Sequence, residues 1–500
     1  MCYKSLLHTL LGTTLLVGCT ATVPKYYSEA AVEPVICPAY SDIVIPYNIA
    51  PLNVAYGMEG KAFITELKSG DHTLVTKGRE TDWNIKLWQN LLSSSKGKAI
   101  ELNVYVKEDK EWVKYLPIKW YVAEEAIDPY ISYRIIAPSY VTYEELSIRQ
   151  RELGTFNEQM IYNNMLLSTD KDGQCINCHS YKNYKTDNMQ FHARQHKGGT
   201  LLVTTEGVKK INLKTDSTIS AGVYPAWHPT HNYIAYSIND TGQSFHTKNN
   251  NKIEVQDLKS DLILYDVDRN EVSFIENDTL EWEVFPTWSP DGKTLYYCSA
   301  HMEIQDYSQR EREIIDRYQE FQYNIYRKSF DPATQVFGPS ELVLDAKAVN
   351  KSATFPRISP DGRYLLFGMG GYGCFHIWHK DADLYIMDLE TMQLCGVEEM
   401  NSSDVESYHA WSSNGRWILF TSRRDDGGYT RLYIAYFDEQ GKVYKPFLLP
   451  QRSPSFYADY YKSYNVPEFM IEPVSITPQE FARYLDMEAQ AATFRGRIVE

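Results

Sequence analysis

Apolar and polar residues alternate with a period of two along most of this chain, the pattern of strands that bury one face. In residues 42–137 the runs 62–67, 99–106 and 112–116 read as strands, the last two joined by a polar turn at 107–111. One helix is expected among them: Thr81 or Asp82 is placed to cap it, Ile85, Trp88, Leu91 and Leu92 recur at helical spacing, and Gly97 closes the region. Trp83, Trp88, Trp112 and Trp120 are assigned to the core of this small β-rich, sandwich-like domain. The pattern then changes. Thr142-Tyr143-Glu144-Glu145 matches a capping box, and few breakers except Gly154 precede Leu167, so residues 138–197 are expected to form a short helical segment.

From residue 198 the strand pattern repeats. Four copies run through Tyr224-Pro225-Ala226-Trp227, Phe285-Pro286-Thr287-Trp288, Phe355-Pro356-Arg357-Ile358 and Tyr408-His409-Ala410-Trp411. Most continue through an Asp-Gly or Asn-Gly turn into a second apolar strand, a strong hairpin signal. Trp227, Trp288, Ile358 and Trp411 lie 61, 70 and 53 residues apart, which calls for insertions: a polar loop at 242–259 and a charged, helical stretch at 302–321. Residues 199–214 would open the array and 429–449 supply its closing strands. One four-stranded sheet cannot bury its own faces, whereas sheets packed radially can. The expected fold class is therefore mainly β, with a six-bladed β-propeller at 198–452, five and seven blades being the neighbouring counts. Residues 453–500 are left as a C-terminal extension too short for an appended hydrolase domain.

The sharpest chemical signal is Cys175-Ile176-Asn177-Cys178-His179. In a C-x-x-C-H run, two thiols a helical turn apart form thioethers to a haem while the adjacent imidazole ligates iron. On this reading Cys175 and Cys178 attach one covalent haem c and His179 is the proximal iron ligand. His192, 13 residues further on, is the expected distal ligand, with Phe191 against the ring and Arg194 on a propionate; Met189 is the alternative, and otherwise a core side chain. A disulfide, a redox dithiol or half a zinc site are the competing readings, and no second C-x-x-C follows to complete a zinc site.

The N-terminus carries Lys4, an apolar run from Leu6 to Val17 too short to span a bilayer, and Leu16-Val17-Gly18-Cys19, the form of a lipobox. Residues 1–18 are then a lipoprotein signal peptide, Cys19 the lipidated first residue and 19–41 a linker. The chain would be exported to the cell envelope and held at a membrane, the outer membrane facing the periplasm, by its lipid anchor only. A formal net charge of −15 argues against nucleic acid and anionic membrane surfaces as partners. Cys37, Cys298, Cys374 and Cys395 allow three full disulfide pairings, or none, with Cys298 equally at home as a buried apolar side chain.

The stretch Pro286 to Lys293 resembles the repeat core of the TolB-type, WD40-like (PD40) propeller family, over about residues 199–451. The first copy departs from it, with His228 in place of Ser and no Asp-Gly. Taken with the lipobox and the C-x-x-C-H run, the chain resembles exported, cytochrome-like lipoproteins of Bacteroidota type. The resemblance implies a propeller that docks a redox or envelope protein partner, with haem serving electron transfer or redox sensing, or else a non-catalytic periplasmic scaffold. A less favoured reading is a metal-dependent lyase or hydrolase built from His376, His379 and His409 with Arg423, Arg424, Asp425 and Asp426; no catalytic role is assigned to any residue.

Overall fold

A computed structural model describes residues 21–137, 145–169, 171–247 and 251–497. Cys19 and the Thr142–Glu144 part of the expected capping box lie outside them. Near the N-terminus a seven-stranded mixed sheet is built on Ala62–Ser69 and Ala99–Glu108. The expected helix is Ile85–Ser94, but its cap is Asn84, whose side chain accepts from the amides of Lys86 and Leu87. Thr81 is occupied elsewhere, its hydroxyl accepting from the Val54 amide at 2.8 Å. Trp88, Leu91 and Leu92 face the sheet, and the Trp88 indole donates to the Ile49 carbonyl at 2.9 Å. This domain is fastened to the propeller by polar contacts such as Tyr40 to the Leu448 carbonyl (3.1 Å) and Trp417 to the Ala126 carbonyl (3.0 Å).

The rest of the chain is a six-bladed β-propeller. Its innermost strands, in ring order, are Gln174–Lys182, Val223–Trp227, Glu281–Trp288, Ser352–Ile358, Glu406–Trp411 and Ser463–Met470, here blades 1 to 6. Blade 6 joins the first and last strands of the ring. Its inner strand comes from the C-terminal region and pairs antiparallel with Tyr130–Ile136, after which Ser147–Glu152 and Glu158–Asn163 complete the sheet.

Several expectations are corrected by this arrangement. Residues 138–197 are not a helical segment: described residues 147–152, 158–163, 174–182 and 185–195 are strands. Ile148, Ile161, Ile176 and Phe191 are buried in one core, and that packing overrides a local capping signal. The propeller accordingly starts near Tyr130 rather than residue 198. The supposed C-terminal extension supplies a central strand, and its short strands Gln490–Ala491 and Thr493–Arg497 add to the outer edges of blades 1 and 2. Described residues 242–245 and 253–259 hold no simple loop; they belong to a long hairpin of blade 2, Tyr233–Phe245 paired with Ile253–Asp266. Residues 199–212 are outer strands of blade 1, and 431–448 outer strands of blade 5, so neither opens nor closes the ring. The 302–321 stretch does contain a helix, Arg310–Asp316.

Every inner strand has a register break at the same level. The bulged residues are Cys178, Tyr224, Phe285, Phe355, Tyr408 and Val466. All but Tyr408 take positive φ, between 46° and 56°, a conformation disfavoured for residues with a Cβ and held here by the surrounding sheet. The bulges turn these side chains toward the axis. Tyr224, Phe285, Phe355 and Tyr408 stack in succession at centroid separations of 4.6, 3.9 and 4.5 Å. The axis is thereby closed, and the space on either side of it is divided.

Candidate functional site

On one side of this closure lies a funnel of about 940 Å³, near the upper end of the range for small-molecule sites. Strand pairing explains which residues of blade 1 reach it. Cys175 sits opposite Arg194 and Asn177 opposite His192; cross-strand partners point to one face, and these four side chains line the funnel. The alternate residues Ile176 and Ala193 turn the other way, into the core. Blade 6 contributes Arg134, Ser463 and Asn465, blade 5 Tyr408 and Arg423, and the blade 2 hairpin Asn239, Thr241, Gln243 and Lys252.

The funnel wall is cationic. Arg134, Arg194, Lys252 and Arg423 line it, and no carboxylate does so among the described residues, although the chain as a whole carries −15. Arg423 is held in place, donating to the Ile377 carbonyl (3.0 Å) and stacking 3.3 Å above the Trp378 ring. Arg134 donates to the Ile176 carbonyl at 3.2 Å, and its Nε is buried without a hydrogen-bond partner among the described residues. Neither Arg134 nor Arg194 forms an ion pair with a described residue. His192 accepts or donates at Thr200 Oγ1 (3.0 Å); burial, with Arg194 beside it, pulls its imidazole down to about 3, so it is neutral at physiological pH.

The long hairpin overhangs the funnel and is tied down on the far side. Glu254, buried near its tip, accepts from His379 Nε2 at 2.9 Å and from Tyr372 at 2.7 Å, and meets His246 Nε2 at 3.0 Å. Burial raises the Glu254 pKa, but the hydrogen bonds from His379, Tyr372 and His246 outweigh it and the net shift is downward. Lys252 lies 5.4 Å from the Trp378 ring.

The residues expected to hold haem do not share one space. Cys175 opens on the funnel, Cys178 lies in the axial closure, and His179 lines neither the funnel nor the cavity beyond. His179 is 1% exposed; its ring nitrogens find no well-formed hydrogen bond, and burial together with Arg134 lowers its pKa to about 3. His192 is on the funnel wall. Met189 is fully buried in an apolar core with Phe191 and Ile161. As folded, this set does not fit a covalently attached haem, because of the two thiols and the proximal imidazole only Cys175 faces a cavity able to receive one.

The suggested lyase or hydrolase residues are partly together: the His376 and His379 ring centroids lie 5.3 Å apart, and His376 and His409 border one small cavity. His409 Nε2 bonds to the Phe355 carbonyl (2.7 Å) and His376 Nε2 to the Gly373 carbonyl (2.9 Å), each tied to backbone. No group of three His, Cys, Asp or Glu side chains among the described residues is arranged to hold a metal ion. The six described cysteines are free thiols, and Cys298 is buried. Of the cationic funnel residues, sequence reasoning singled out Arg423, as part of the metal site, and Arg194, as a haem partner. Arg134 stands in a strand, and Lys252 in a stretch expected to be a loop, neither with a recognised relation to the repeat.

No protein-family model matches the sequence, and no curated protein does. Among solved structures, the tricorn protease aligns with 71% of this chain and 34% of its own, at 11% identity and a TM-score of 0.35. Prolyl oligopeptidase B from Galerina marginata aligns with 81% of this chain and 54% of its own, at 8% identity and a TM-score of 0.35. The endo-arabinase of Bacteroides thetaiotaomicron aligns with 57% of this chain and 91% of its own, at 10% identity and a TM-score of 0.24. The chain thus spans about a third of the first and about half of the second. Likenesses this distant bear on no activity, and what stands is the fold read from the chain itself: a six-bladed β-propeller closed by pairing its first strands with a strand near the C-terminus.

Proposed function

We propose that this chain is a binding protein whose funnel holds a hydroxyl-rich small molecule bearing carboxylates, of the class of acidic oligosaccharides. The observation that carries the reading is the lining: Arg134, Arg194, Lys252 and Arg423 on its wall, with no carboxylate among the described lining residues. Arginine forks match carboxylates bidentately. The amides of Asn177, Gln243 and Asn465 and the rings of Tyr408, Tyr429 and Trp378 suit hydroxyls and the flat faces of sugar rings. Export and lipidation at Cys19 belong to the same proposal, supported by the apolar run that ends in Leu16-Val17-Gly18-Cys19.

Titration calorimetry with trigalacturonate and neutral maltotriose tests it. The acid is expected to bind, with affinity falling as salt rises. Arg194→Gln, at an exposed position, should weaken binding about 10- to 100-fold, the span of one charge-assisted contact. The reading fails if the acid does not bind, if the neutral sugar binds equally well, or if Arg194→Gln changes nothing. Electron transfer through covalent haem is the second reading, favoured by the C-x-x-C-H run and by the unsatisfied His179 ring; it requires Cys178 and His179 to leave the axial closure and turn into the funnel.

A further inference from the structure

We infer that Cys178 and His179 belong to the blade 1 copy of the propeller repeat, sealing its axis, and that the C-x-x-C-H run is not a haem-attachment site. Aligning the inner strands on their bulges places Cys178-His179-Ser180-Tyr181 level with Tyr224-Pro225-Ala226-Trp227, Phe285-Pro286-Thr287-Trp288, Phe355-Pro356-Arg357-Ile358, Tyr408-His409-Ala410-Trp411 and Val466-Pro467-Glu468-Phe469. Each copy reads as an axial side chain, then Pro or His, then two residues turned to the opposite side. Ser180 and Tyr181 do line the opposite cavity, of about 390 Å³, together with Ala226, Trp227, Trp288 and Trp411.

Contacts repeat along with the sequence. His409 of blade 5 bonds to the carbonyl of Phe355, the bulged residue of blade 4. His179 of blade 1 is set against the backbone of Val466, the bulged residue of blade 6, in the same relation though without good hydrogen-bond geometry. Cys178 itself is buried, 5% exposed, at the bulge of its inner strand. Cys178 therefore has a structural task before any cofactor is considered. The spacing of the thiols argues the same way. Three residues of extended strand cover about 10 Å, whereas haem attachment uses thiols one helical turn apart, and a disulfide requires Cα atoms within about 7 Å.

The test is expression with export in a host that matures c-type cytochromes, alongside a known c-type cytochrome as positive control. The pyridine haemochrome spectrum and the intact mass of the wild-type protein are expected to show no covalent haem. His179→Pro, which installs the residue found at this level in four other blades, should melt within a few degrees of wild type, and Cys178→Val, the blade 6 residue, should do likewise. A covalent haem on the wild-type protein overturns the inference even if neither variant folds. Haem-free wild type with both variants unfolded would overturn the repeat equivalence. Trigalacturonate binding is read separately, so its failure does not touch this result.

Discussion

Ending the chain at Arg452 should abolish folding, because the last 48 residues contain the innermost strand of blade 6 and the helix Pro478–Asp486 behind it. Tyr464, Phe469, Met470, Phe481 and Leu485 are each no more than 1% exposed. At about 1.5–3 kcal/mol per fully buried side chain, their removal forfeits about 8–15 kcal/mol. That equals the whole net stability of a typical domain, about 5–15 kcal/mol. The loss also strips Tyr130–Ile136 of its ladder partner and leaves its backbone groups exposed inside the ring. A chain ending at Glu488 is the control, since it removes only the edge strands Gln490–Ala491 and Thr493–Arg497. Circular dichroism melts and limited proteolysis should show a cooperative transition for the control and none for the shorter chain. A shorter chain that melts cooperatively within a few degrees of the full one would refute the closure of the ring by its two ends.

Acid should unfold the protein at unusually mild pH. Burial holds the His179, His192, His376 and His409 imidazoles at about 3 and that of His228 at about 4. The unfolded chain therefore takes up protons near 6.5 that the folded one refuses, and stability present above that pH falls as pH drops below it, by about 1 kcal/mol per histidine at pH 5.5. Desolvation raises half-buried Asp261 and Asp383 to about 6 and raises Asp128, Asp257, Glu283 and Glu468 as well, so these carboxyls offset part of the trend; equal urea midpoints at pH 7.5 and 5.5 would contradict a net histidine effect. Gly292→Ala should cost well over 1 kcal/mol, since φ is +71° and the new Cβ would meet His228 Cε1 at 2.4 Å, while Gly362→Ala, at φ +81° with 3.7 Å to Pro290, carries only the backbone strain of about 1 kcal/mol. Thermal melts that rank these two in the reverse order would show that His228 yields. Cys19→Ser should move the protein from the membrane to the soluble fraction; wild-type protein already found there would exclude the anchor.

Four of the six inner strands were legible in the sequence because each keeps an aromatic side chain before Pro or His and an aromatic or Ile two residues later, and three of them run on into an Asp-Gly or Asn-Gly turn. The two others lack that turn. Val466-Pro467-Glu468-Phe469 pairs with Tyr130–Ile136, more than 300 residues earlier, and so has no hairpin to announce it. Cys178-His179-Ser180-Tyr181 has Asn183-Tyr184, both at positive φ, where the glycine would stand, and its Cys and His suggested chemistry in place of packing. The helix at Ile85–Ser94 was legible from its periodicity, though not its cap, since Thr81, Asp82 and Asn84 are equally able to accept amides. The funnel was the least legible part. Arg134 and Arg194 lie 60 residues apart and line one funnel because blades 6 and 1 are neighbours in the ring.

A diffraction structure of the exported protein soaked with trigalacturonate tests the account most directly. The ligand carboxylates are expected on Arg134 and Arg194, in the funnel lined by Tyr224 and Tyr408, with Cys178 and His179 still in the inner strand of blade 1. Density for the sugar elsewhere, or a planar macrocycle bonded to Cys175 and Cys178 with His179 turned toward it, would contradict it.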